Sequence, residues 1–158
     1  MALIPQDTEK RIDIAFQKRV IDLMDEHELS KKQLAEKADI SVAVISRITI
    51  YGIIPSLGIL VKLADTFNIS LSYLLAENND SSFYKTNNPV TFQKRLHDLA
   101  AENNVKFSQI AHQMPFTKNY FYEWDRTGTI PSLEYLQAIA DYFNVSPDYL
   151  LGRTDYKD

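Results

Sequence analysis

A chain of 158 residues, 45% of them hydrophobic, can bury one ordinary core or two small ones, so length alone leaves one or two domains open. The absence of cysteine removes disulfides, thiolate metal sites and cysteine nucleophiles together, and fits a reducing, cytoplasmic setting. A formal charge of -4 argues mildly against a nucleic-acid partner, because phosphate affinity comes largely from lysine and arginine, unless the basic residues are gathered on one surface.

The N-terminus, MALIPQDTEKR, places its charges after a very short apolar segment, the wrong order for a signal peptide, and residues 1–11 read as an arm. No apolar run approaches the roughly 20 residues needed to span a bilayer, so no membrane association is expected. A first helix is expected from Thr8 or Asp13 to His27, with Ile12, Phe16, Val20, Leu23 and Met24 recurring at three- and four-residue steps. Acidic residues crowd it: Asp22, Asp25 and Glu26 lie on it and Glu28 just beyond.

From Ser30 to Ile48 the chain holds two short helical patterns separated by Ala38, Asp39 and Ile40. Ser30 can cap the first, with Leu34 and Ala35 inward; Ser41 can cap the second, with Val44, Ile45 and Ile48 inward. Asp39, one of the few residue types that tolerate left-handed backbone, stands where the chain must turn. That layout is a helix-turn-helix. Lys31, Lys32, Lys37 and Arg47 outnumber Glu36 and Asp39 here, so the acid is displaced from this surface. Ser56 and Ser70 are expected to cap two further helices, one carrying Leu57, Leu60, Leu63, Ala64 and Phe67, the other Tyr73 and Leu74. Residues 78–91, rich in asparagine and serine and containing Pro89, read as a flexible linker.

The pattern then returns. FQKR at Phe16–Arg19 reappears at Phe92–Arg95, an offset of 76 residues. The same offset carries Gly52 and Ile54-Pro55-Ser56-Leu57 onto Gly128 and Ile130-Pro131-Ser132-Leu133, and Tyr73-Leu74-Leu75 onto Tyr149-Leu150-Leu151. The chain reads as a tandem duplication, with domains at 12–77 and 92–153 and a tail at 154–158.

Both copies resemble the lambda-repressor-like (Xre/Cro-type) helix-turn-helix regulators, through the capped helix with Leu-Ala, the short turn, the second helix, and the Gly, Pro-Ser-Leu and Tyr-Leu-Leu that follow. The resemblance implies an all-α protein of two five-helix domains in tandem, binding double-stranded DNA as a cytoplasmic transcription regulator, a bacterial or phage repressor. It implies no cofactor, no metal and no small-molecule substrate. By position, base edges would be met in copy 1 by Val42, Ala43, Ser46 and Arg47, with Lys31 and Lys32 toward phosphate. In copy 2 the corresponding residues are Lys118, Asn119, Tyr122 and Glu123, with Lys106 and Ser108 in the positioning role.

Copy 2 departs from the pattern at Pro115, which stands where copy 1 has Asp39; proline cannot adopt positive φ, so this turn needs another shape. An arginine–glutamate bridge common in the family is missing from both copies, whose residues there are Met24 with Thr49 and Ala100 with Asp125. Of the aromatic run in copy 2, Phe121 and Trp124 match Ile45 and Ile48 and read as core, while Tyr122 should be exposed and fits an interface. His27, His97 and His112 lack partners at metal spacing, and the acidic residues lack a matching nucleophile, so an enzyme is not expected. The expected assembly is a homodimer with copy 1 as the principal reader. The rival is an interaction module, for dimerisation or for sequestering a regulator or toxin, in which copy 2 has lost DNA binding.

Overall fold

The computed structural model describes residues 11–158, so of the expected arm only Arg11 is described and Thr8 lies outside. The described residues are all-α, with ten helices, two isolated bridges and no extended strand. It divides after Phe83 into two compact units.

In unit 1, α1 spans Ile14–Glu26, beginning where the Asp13 carboxylate accepts the Phe16 N–H at 3.0 Å. Phe16, Val20, Leu23 and Met24 are buried as the helical spacing requires, whereas Ile12 precedes the helix, is half exposed and pairs with Ile53. Helix α2 (Lys31–Ala38) opens with a reciprocal cap: Gln33 N–H donates to Ser30 Oγ at 3.1 Å and Ser30 N–H to Gln33 Oε1 at 2.8 Å. Helix α3 (Val42–Tyr51) is capped by Ser41, α4 spans Leu57–Phe67, and α5 (Leu71–Leu74) is capped by Ser70. Ser56 occupies the N-cap position of α4, but its hydroxyl makes no cap hydrogen bond, unlike the expectation. The core is built on Phe16, Val20, Leu34, Ile45, Leu60, Leu63, Ala64 and Leu74, all without solvent exposure. Val44, expected inward with Ile45 and Ile48, is only partly buried, because it sits at the edge of the inner stripe beside the loop after α3.

Unit 2 contains α6 (Phe92–Glu102), α7 (Phe107–Ala111), α8 (Asn119–Thr127), α9 (Leu133–Phe143) and α10 (Pro147–Leu150). Shifted by 76 residues, α4 and α5 coincide with α9 and α10, and the ends of α1 and α3 with those of α6 and α8. Left-handed backbone recurs at the same offset: Glu28 with Asn104, Gly52 with Gly128, Asn68 with Asn144, and Ala76 with Gly152. One interior contact recurs as well. The Arg19 guanidinium lies 3.9 Å from the Tyr73 ring centre, and Arg95 the same distance from Tyr149, fixing the first helix of each unit to the last.

The linker and tail differ from expectation. Residues 84–91 belong to unit 2: Lys85 pairs with Thr154, the Thr86 N–H donates to the Arg153 carbonyl at 3.0 Å, and its hydroxyl to Asp155 at 2.8 Å. Thr154 is buried and donates to the Tyr84 carbonyl at 2.7 Å, and the Lys157 carbonyl accepts the Ser146 N–H, so the C-terminal residues are part of the unit. A polar, asparagine-rich composition reads as linker because local sequence carries no signal of a partner about 70 residues away.

Gly152 marks where this strap is tightest. Its φ is +74°, and a Cβ there would lie 2.0 Å from the Val90 carbonyl oxygen, whereas a Cβ at Gly58 in α4 meets nothing within 4 Å. Gly152→Ala should therefore destabilise unit 2 by at least about 2 kcal/mol, read as a lower denaturation midpoint in the fluorescence of Trp124, the single tryptophan. Gly58→Ala should leave that signal unchanged and gain up to about 1 kcal/mol in the helical signal of unit 1.

Candidate nucleic-acid interface

The outer face of α3 presents Val42, Ala43 and Arg47 to solvent, with Ser46 partly covered, and the same face continues to Ile50. Three devices hold it there. Leu34 and Ala35 of α2 and Ile45 and Ile48 of α3 are buried. Asp39 adopts φ 56° and ψ 52°, ending α2 and sending the chain into α3, while Lys62 of α4 donates to its carbonyl at 3.0 Å. The Gln17 amide of α1 donates to the Thr49 carbonyl at 2.7 Å, tying the C-terminal end of α3 to the first helix. In place of the missing arginine–glutamate bridge, then, an uncharged amide does the tethering.

Lys31 and Lys32 occupy the first turn of α2, where no acidic residue accompanies them. Cations at a helix N-terminus oppose the macrodipole, typically by 0.3 to about 1 kcal/mol, so the helix itself gains nothing from them. Together with the free N–H groups of that turn they make a positive locus. Among the described residues of unit 1 the ion pairs are Lys18 with Asp22 and Lys62 with Asp39, leaving Lys31, Lys32 and Arg47 without acidic partners.

Unit 2 arranges the corresponding residues differently. Helix α7 stops at Ala111, three residues short of the position matching the end of α2, and the chain passes through an irregular turn before Asn119 opens α8. Pro115 forbids the left-handed cap, and Phe116 fills the turn instead, packing on Phe121, Trp124 and Tyr135 with ring centres 5.3, 5.2 and 4.6 Å away. Phe121 and Trp124 are buried, as their positions imply, and Tyr122 is 52% exposed. Lys106, Ser108, Lys118 and Asn119 are all exposed, yet Lys118 sits at the α8 N-cap position without a side-chain cap bond. Asp125, one half of the missing bridge, pairs instead with His97 of α6 at 2.7 Å, and Gln93 repeats the tether of Gln17 by donating to the Trp124 and Thr129 carbonyls. Glu123 is engaged by Arg126.

Sequence reasoning missed the amide tethers, although the recurrence of FQKR was the signal that could have found them. It also left Arg11 in the arm, while the structure ties it to the loop after α3: Arg11 Nε donates to the Ile54 carbonyl at 3.1 Å and the Ile54 N–H to the Arg11 carbonyl at 2.7 Å. Among the described residues no helix is long and apolar enough to cross a membrane, and no group of three or more metal-ligating side chains is placed to hold an ion.

Residues 20–74 match the model of the helix-turn-helix family, a family of DNA-binding domains; the match runs from within α1 to the end of α5. No curated protein matches the chain.

The turn can be tested directly. Asp39→Gly, which removes the cost of left-handed backbone, should stabilise unit 1 by up to about 1 kcal/mol, whereas Asp39→Pro, the residue of unit 2 at this place, should unfold the α2–α3 junction. Thermal denaturation followed by far-ultraviolet circular dichroism distinguishes the two; equal effects would mean the left-handed turn is not what orients α3.

Proposed function

We propose that the chain is a sequence-specific DNA-binding regulator of the lambda-repressor-like type, acting as a repressor in a bacterial or phage setting. The observation that carries this reading is the capped, solvent-facing α3 with Val42, Ala43 and Ser46 on its outer side and the lysines of α2 beside it. Alanine and valine side chains suit thymine methyl groups in the major groove, and the serine hydroxyl bonds to several base edges. Lys31 and Lys32 supply the sequence-independent attraction to phosphate. The family match over unit 1 supports the same reading.

The equal offset of helices and left-handed residues supports descent from a duplication, after which the copies took different work. Unit 1 reads; unit 2, with its turn rebuilt around Phe116 and with Tyr120 and Tyr122 exposed at 43% and 52%, contributes to the surface on which two chains associate. A homodimer then brings two copies of α3 to a palindromic site.

Selection of bound sites from random duplex DNA tests the proposal, with a palindrome as the expected result and no enrichment as the result that overturns it. On the selected duplex, Lys31→Ala with Lys32→Ala should weaken binding to all sequences alike and reduce the salt slope by about two. A further expectation concerns unit 2: Lys118→Ala with Asn119→Ala should leave base preference unchanged, while Tyr122→Ala should lower the dimer fraction in sedimentation. A changed preference would make unit 2 a second reader.

A further inference from the structure

Beside the outer face of α3 runs an open groove of about 460 Å³, with apolar lining from Val44, Ile53, Ile54 and Ile59 and two charged groups, Arg11 and Arg47. Both arginines are exposed, and neither has an acidic partner among the described residues. Arg11 is held in place by its Nε bond to the Ile54 carbonyl and by the pairing of Ile12 with Ile53, so its terminal N–H donors remain available. Ser56 also lines the groove, with a hydroxyl that makes no cap bond. Two like charges facing one groove without an acid repel each other, and an anion between them removes that cost. The planar forks of two guanidinium groups match the oxygens of a phosphate.

Unit 2 supplies the internal comparison. At the same offset Arg11 becomes Asn87, Arg47 becomes Glu123, and Val44 and Ile59 become Tyr120 and Tyr135. The two tyrosine rings pack with centres 5.4 Å apart, and Ser132 caps its helix by accepting the Tyr135 N–H at 3.3 Å. Burial, with Tyr120 nearby, pushes the Tyr135 phenol above its ordinary range. Both cations are lost and rings stand where two apolar lining residues were, so unit 2 lacks the pair of guanidinium groups that an anion would meet in unit 1.

We infer that the groove of unit 1 holds one backbone phosphate of the bound DNA, gripped jointly by Arg11 and Arg47, and that Arg47 therefore positions the domain and does not read a base. The inference rests on the DNA-binding reading above and adds Arg11 to the interface. It is tested with the full chain on the selected duplex, measuring affinity across salt concentrations and on single-base-pair variants of the site. Arg11→Ala and Arg47→Ala should each weaken binding about five- to tenfold, by the same factor on every variant. The double substitution should lower the salt slope by about one, because a single phosphate is released. Arg47→Lys should recover part of the loss, and unchanged thermal midpoints exclude unfolding as the cause. A shift of base preference in Arg47→Ala, no effect of Arg11→Ala, or a slope change near two in the double variant each overturns the shared clamp while leaving DNA binding intact. Failure of the unaltered chain to bind any duplex overturns the DNA-binding reading and the clamp with it.

Discussion

The backbone at residue 39 is the constraint from which the two units diverge. A left-handed residue there ends α2 at once and lets α3 begin three residues later behind its own serine cap. Proline at 115 removes that option, since its ring fixes φ near −65° and disfavours helix in the residue before it. Helix α7 is shorter than α2, the turn after it is longer, and Phe116 is buried in that turn against Trp124 and Tyr135. Tyr120 and Tyr135 then pack over this plug where unit 1 has Val44 and Ile59. The change of turn thus goes with a different surface, while the ends of α6 and α8 and both ends of α9 and α10 keep the 76-residue offset.

Electrostatics on this chain is a matter of placement. The net charge of -4 belongs largely to carboxylates such as those at the end of α1, and in water at physiological salt an exposed charge acts over about 8 Å. Lysines in the first turn of α2 and the arginines beside α3 therefore face a partner with their own local sign. The charges themselves do little for the fold: the lysines oppose the helix macrodipole, and the arginines, although Arg11 bonds to the Ile54 carbonyl, line a common groove without acid. Local choices that cost the folded state something are where binding chemistry is to be sought.

Much of unit 1 was legible in the sequence, because its determinants are local. Serine caps at 30, 41 and 70, the αL position at Asp39 and the apolar spacing of α1 and α4 each lie within one helix of the structure they specify. Position on the helix also placed Val42, Ala43, Arg47, Lys118, Asn119 and Tyr122 on exposed surfaces. What escaped was non-local. Thr86 and Thr154 read as linker and tail, and they are buried where their segments meet, Thr86 bonding to Arg153 and Asp155 and Thr154 to the Tyr84 carbonyl. Arg11 read as arm for the same reason, since its partner is a carbonyl 43 residues on. Pro115 announced a changed turn, but the identity of the residue that would fill it depended on packing that no periodicity encodes.

The pattern of retention between the units separates scaffold from surface. Every residue of FQKR makes an equivalent contact in both: Phe16 and Phe92 are buried, Gln17 and Gln93 bond to carbonyls at the end of the second motif helix, Lys18 and Lys94 pair with Asp22 and Asp98, and Arg19 and Arg95 lie over Tyr73 and Tyr149. By contrast none of Val42, Ala43, Ser46 and Arg47 is kept at 118, 119, 122 and 123. The contacts that orient the motif helix persist while the face it displays has been replaced. The same anchoring thus carries two different outer faces, small side chains with one arginine on α3 and tyrosines with a glutamate on α8.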